Sequence, residues 1–227
     1  EDEQGTAHED EEIKNDTKKE AEDPTEELDT QKEQDIVDSA KQERVEKEKS
    51  NQSKEQAFTY YNRGNFAIDG HPGQTVENSI GVFTIEKAAS AGTVSVGPID
   101  IQIENVSLVS GDITEEATAG IAGDQVRYVQ LDAMLQNTSE LPIQFFFAAT
   151  TIDVNGHQLI AHDMFSGKTD GDYTCTTPKN ATLVYMLNES HPPSEQINHL
   201  TIHLSSSPMN IETESEVASG TSVDVSF

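Results

Sequence analysis

Basic residues are scarce in this chain. Fourteen Lys and Arg stand against 42 Asp and Glu in 227 residues, a formal net charge of −28. A nucleic-acid binder needs a basic patch to release counterions, so this balance argues against one. It argues equally against electrostatic docking on anionic lipid. Cysteine is nearly absent: Cys175 is the only one. No intrachain disulfide can form, which leaves the compartment open because disulfide-poor secreted proteins exist. Hydrophobic residues make up only 33%, below the usual globular share. No stretch reaches the roughly 18 to 20 apolar residues of a membrane span. Gly-x-Ser-x-Gly, P-loop, His-Glu-x-x-His and Cys-x-x-Cys patterns are all missing, so the familiar local signatures of hydrolases, nucleotide sites and zinc sites are not available.

What is present divides into two polymers. Residues 1–56 are about half charged, carry no aromatic residue, and hold only isolated apolar side chains such as Ile13, Leu28, Ile36, Val37 and Val45. Such a segment cannot bury enough surface to offset its ordering entropy. Glu26 to Lys49 lacks Gly and Pro, and Glu43 and Lys47 stand four apart, so fluctuating helix is the most structure expected there. As a coil, residues 1–56 would reach on the order of 40 Å. Order is expected from about Ala57, where Phe58, Tyr60, Tyr61 and Phe66 supply the first aromatics.

Residues 57–227 read as β-structure. Val129, Leu131, Ala133 and Leu135 alternate with Gln130, Asp132, Met134 and Gln136. A period of two puts the first set on a core face and most of the second on a polar face. Asn137 to Pro142 supplies turn formers, and an apolar run from Ile143 to Ala149 follows, centred on Phe145, Phe146 and Phe147. Asn155-Gly156, between Ile152-Asp153-Val154 and His157-Gln158-Leu159, is a strong hairpin signal. Thr93 to Val96, Ile99 to Leu108, Ala181 to Leu187 and Ile197 to Leu204 add further strands, while Gly111 to Gly123 reads as a long loop. Roughly seven to nine short strands separated by turns indicate an all-β antiparallel sandwich.

The run Tyr128 to Ser139, with Thr93 to Ser107 before it and Ile152-Asp153-Val154-Asn155-Gly156 after it, resembles an immunoglobulin-like domain of secreted bacterial lipoproteins. That group is similar to the immunoprotective extracellular antigen of mycobacteria. The resemblance spans Thr93 to Leu204 and rests on an alternating strand ending in Asn-Thr-Ser, a buried apolar segment and an Asp-x-Asn-Gly hairpin. It implies an immunoglobulin-like sandwich on an acidic linker, joined upstream of Glu1 to a signal peptide and a lipid-modified cysteine. It brings no catalytic residues with it.

Candidate chemistry is thin. His199 and His203 are four apart. On a strand that spacing covers about 13 Å, too far to chelate one ion. His157, His162 and His191 fall near turns, where the fold would have to join them to make a site. Asp170-Gly171-Asp172, with Asp163 and Ser166, offers oxygens for a hard cation but not the spacing of a calcium loop. Cys175 lacks a recognisable motif and reads as a half-buried strand residue. No catalytic, cofactor or metal residue is therefore assigned. Phe145 and Phe147 share one face of their strand and Phe146 takes the other. Phe146 is then covered by the segment Phe58 to Phe66, or left exposed as a partner contact.

The functional expectation is an extracellular, membrane-anchored, non-enzymatic binding or adhesion module for an unknown protein or cell-wall ligand. The first alternative is an interaction protein whose acidic segment docks on a basic partner. The second is a metal-dependent hydrolase on a β-sandwich, which needs His, Asp or Cys side chains converging in one pocket.

Overall fold

The strand Gln125–Asn137 (β5) lies at the centre of the fold, and its two faces serve two different cores. The computed structural model describes residues 63–168, 170–174 and 176–227. The acidic segment 1–56, the aromatics Phe58 to Tyr61 and Cys175 lie outside these residues. Within them the chain is an all-β sandwich built from antiparallel sheets.

The main sheet runs in the order β1 (Thr75–Glu77), β2 (Gly81–Ala89), β4 (Ile99–Ile113), β5 and β10 (Lys179–Leu187). A further strand, β3 (Gly92–Val96), extends the edge by pairing with the first part of β4. Two four-stranded sheets accompany it. One has the order β14 (Thr221–Ser226), β11 (His199–Leu204), β7 (Thr151–Val154), β8 (His157–Ile160). The other is β13 (Ser215–Glu216), β12 (Met209–Asn210), β6 (Ile143–Phe146), β9 (Asp170–Tyr173).

The larger core joins all three sheets. Val129, Leu131, Ala133 and Leu135 of β5 meet Ile143 and Phe145 of β6, Ile152 and Val154 of β7, and Leu200, Ile202 and Leu204 of β11. This is the alternation read from the sequence, and its odd-numbered residues point inward as expected. The Asn155-Gly156 hairpin is also where it was expected. Both residues have positive φ, 52° and 84°, as the tight turn between β7 and β8 requires.

The even-numbered face of β5 is not the solvent face that its composition suggested. Tyr128 and Gln130 are fully buried and Asp132 nearly so. A strap formed by residues 63–70 lies over them. Tyr128 donates to the carbonyl of Phe66 at 2.9 Å. The Gln130 amide makes two 2.9 Å bonds with Ile68, accepting from its N–H and donating to its carbonyl. That side chain pairs with the strap as a neighbouring strand would. Asp132 accepts from Gln130 at 2.5 Å, Thr182 at 2.6 Å and Arg63 at 3.2 Å, and Arg63 also pairs with Asp69 at 2.6 Å. Burial alone would lower the Arg63 pKa. The hydrogen bond to Asp69 and the charges of Asp132 and Asp69 more than reverse that, so the guanidinium stays charged. Phe66 fills the second core, edge-on to Phe83 and Tyr128 and 4.1 Å from Phe165 between ring centroids. At Gly64, where φ is +80°, a Cβ would sit 2.4 Å from the Phe165 carbonyl oxygen. Only glycine lets the strap pass there.

Three further departures have local causes. β4 carries an inward set Ile99, Ile101, Ile103 and then Val106, Leu108; the slip of one residue is a β-bulge against β5 between Ile103 and Asn105. The expected loop 111–123 instead completes β4 and forms a helix, α1 (Glu116–Ala122), with Glu115 as N-cap accepting from the Thr118 N–H. The apolar run around Phe145 is strand only to Phe146; Phe147–Ala149 is a 3-10 turn. The Tyr185 hydroxyl donates to the Thr150 carbonyl just beyond it at 3.1 Å.

Gln130→Leu is expected to lower stability by about 2–4 kcal/mol, because it leaves both main-chain groups of Ile68 buried without partners. Urea denaturation checks this. Gln102→Ala, at an exposed position, should stay within about 0.5 kcal/mol.

Candidate functional site

The residues singled out in the sequence do not converge. The His157 and His191 rings pack at 5.2 Å, edge to face, but His162 stacks on Phe165 at 4.1 Å instead. His199 is exposed, and His203 shares a 2.8 Å hydrogen bond with Ser222. Among the described residues no group of three or more His, Cys, Asp or Glu is arranged to hold a metal ion. The hard-cation oxygens are separated by their bonding. Asp172 accepts from Gln144 across β6–β9, whereas the Ser166 hydroxyl accepts from the Val184 N–H on β10. Asp163 is exposed. Phe146 is 42% exposed on β6. Phe66, one of its expected covers, is committed to the second core on the opposite face of the main sheet.

Two clefts lie beside features described above, one at the strap and one at β8. The first, about 400 Å³, lies beside the strap and is lined by Arg63, Asp69, Glu104, Asn105, Asp132 and Asn180 among others. Its arginine and two of its carboxylates are paired to one another and hold the strap in place. The second is broader, about 720 Å³, and is lined by residues 158–164 and Met186. Leu159, Ile160, Ala161, Met164 and Met186 form its apolar part, and Gln158, His162 and Asp163 its polar part. Ile160 is 77% exposed and Met164 60%, the two most exposed of the large apolar side chains among the described residues.

The local chain path explains this exposure. β8 is the last strand of its sheet, so no described strand covers its outer edge. After Ile160 the chain crosses to β10, where the His162 N–H donates to the Val184 carbonyl at 2.8 Å and the Gly167 N–H to that of Thr182 at 2.8 Å. The crossing ties down the edge of β10, and β8 comes near β10 but pairs with no described strand on its outer side. Leu159-Ile160-Ala161 is three apolar residues in succession, and on a strand such a run must place one of them outward. That break in alternation is the signal that sequence reading passed over. Within the cleft wall, His162 Nδ1 is buried and has no hydrogen-bond partner among the described residues.

The charge around these features is one-sided. Of the five cations after Phe58, Arg63 pairs with Asp69 and Asp132. Lys87 donates to the carbonyls of Glu195 and Ile197 and to Asn198. Arg127 donates to the carbonyls of Pro192 and Asn188. Lys179 donates to the Asp172 carbonyl and lies over the Tyr173 ring. Four of the five are thus spent on the protein's own oxygens, leaving Lys168 against the 21 Asp and Glu of this region.

The architecture is an all-β sandwich. No protein-family model matches the chain, and no curated protein does. Among solved structures it is similar to a functionally unknown protein from Listeria monocytogenes, with a TM-score of 0.48 and 11% identity over 64% of this chain and 86% of that one. It is also similar to a candidate lipoprotein from Bacillus subtilis, with a TM-score of 0.40 and 8% identity over 60% of this chain and 39% of that one.

His191 gives the site region a pH dependence. Burial, with the charges of His157 and Arg127 nearby, lowers its pKa below the ordinary 6.5. The unfolded imidazole therefore takes a proton before the folded one. Stability is full above about pH 6.5 and falls as pH drops toward the folded value. His191 Nδ1 accepts the Asn188 N–H at 3.0 Å, and an Asn side chain offers an oxygen in its place. Thermal melts between about pH 7.5 and 5 are expected to fall more steeply for the native chain than for His191→Asn.

Proposed function

We propose that this chain is an extracellular, membrane-anchored binding module without enzymatic activity. The observation that carries the reading is the open apolar cleft beside β8. Its two most prominent side chains, Ile160 and Met164, are the large apolar residues most exposed to solvent. A protein surface seldom keeps such groups together unless they meet a partner. Met164 and Met186 add side chains that adapt to varied apolar shapes. Phe146, 42% exposed, is a second contact of the same chemical kind.

Residues 1–56 serve in this reading as an acidic spacer that holds the sandwich away from a membrane. Their composition supports that role, as does the resemblance of Thr93 to Leu204 to the immunoglobulin-like domains of secreted lipoproteins. The same acidity supports a second reading, in which residues 1–56 are themselves the contact for a basic partner.

Protease added to intact cells of the native organism is expected to remove the domain from the membrane fraction. A protected cytosolic pool would overturn the assigned location. Binding of the purified chain to cell-surface extracts is expected to persist when residues 1–56 are replaced by a neutral Gly/Ser segment of equal length. Loss of binding in that variant would move the contact to the acidic segment.

A further inference from the structure

We infer that the outer edge of β8 is a docking edge for an extended, apolar and basic segment of a partner protein, which adds to the sheet as a fifth strand. The inference rests on the binding-module reading and names the partner's chemistry.

The edge is open. β8 ends the order β14-β11-β7-β8, and its register with β7 pairs Val154 with His157 and Ile152 with Leu159. In a two-residue hairpin these are the hydrogen-bonded pairs, so the main-chain groups of Gln158 and Ile160 face away from β7. Edges of this kind are usually blunted by Lys, Pro or a bulge. His157-Gln158-Leu159-Ile160 contains no Lys or Pro, and its pairing with β7 is free of register shifts. An added strand gains main-chain hydrogen bonds from such an edge, while pockets beside it select alternate side chains. The cleft against this edge supplies those pockets through Ile160, Met164 and Met186, with Asp163 at its rim.

Charge decides the occupant. With four of its five cations turned onto its own oxygens, the sandwich presents carboxylates almost alone. A second copy of this chain would bring the same net charge of −28 and be repelled. A segment alternating apolar and basic residues meets the apolar cleft with one set and the acidic surroundings with the other.

The test uses the full chain and a synthetic peptide of alternating Val and Lys. Amide resonances of Gln158 to Met164 and of Met186 are expected to shift on titration. Ile160→Lys places a charge at a side chain that is already 77% exposed, and should weaken the peptide by about tenfold or more. Met164→Lys, at a second exposed position, should weaken it in the same direction. Methylating alternate peptide nitrogens should abolish binding, because strand addition needs the N–H groups. A Val/Glu peptide should not bind. The inference is overturned if the Val/Lys peptide fails to bind, if Ile160→Lys and Met164→Lys leave its affinity unchanged, or if the shifted amides lie elsewhere. If Ile160→Lys still binds cell-surface extracts as the native chain does, the β8 assignment falls and the binding-module reading stands. If the native chain binds no such extract, the broader reading falls with it.

Discussion

One buried amide organises the described part of this protein. The Gln130 side chain meets both main-chain groups of Ile68, and through that pairing a sheet face with polar residues becomes an interior. Buried polar groups are tolerated only when hydrogen-bonded. On this face of β5 the three are bonded: Tyr128 to Phe66, Gln130 to Ile68, and Asp132 to Gln130, Thr182 and Arg63. Once the strap is held, Phe66 and Ile68 close a second core with Phe83, Ile85, Val109 and Phe165. The main sheet is therefore buried on two sides, and the elements that carry the cleft, β8 and the crossing to β10, are attached to a rigid support.

How far this was legible in the sequence depends on which forces set each element. Odd-numbered residues of β5 bury by hydrophobic partition alone, and their alternation shows it directly. The Asn155-Gly156 turn is equally plain, since few residue pairs accept positive φ together. Tyr128, Gln130 and Asp132 look like a solvent face because composition reports polarity and not hydrogen-bond partners, and those partners lie 62 residues away in the strap and 50 away in β10. The bulge after Ile103 shows in retrospect as a slip in alternation at Glu104-Asn105. Helix α1 spans a mere seven residues, too few for a period of 3.6 to declare itself. At the candidate site, Leu159-Ile160-Ala161 broke the alternation visibly. What the sequence could not show was that β8 ends its sheet, because strand order is a property of long-range pairing. Phe146 was placed on the outer face by the same period-two argument, and it is exposed.

Electrostatics has a similar division. The net charge is evident from composition, but its effective strength at the surface is not. Basic side chains of the sandwich donate to carbonyls at chain crossings: Lys87 at 195 and 197, Arg127 at 188 and 192, Lys179 at 172. Lys87 and Arg127 fasten elements distant in sequence, Lys179 fastens neighbouring strands, and each is thereby turned onto the protein's own oxygens. Four of the five cations are structural, and most of the carboxylates of this region are left to face the solvent.

The strap has a mechanical meaning as well. It is the N-terminal end of the described residues, so a pull applied at Arg63 is met first by the strap. The load meets an ion pair to Asp132 on the central strand and a glycine wedged against the Phe165–Gly167 backbone, before it can reach the apolar core. A pull at that point is thus gripped at the middle strand, and the first structure placed under strain is the lid of the smaller core.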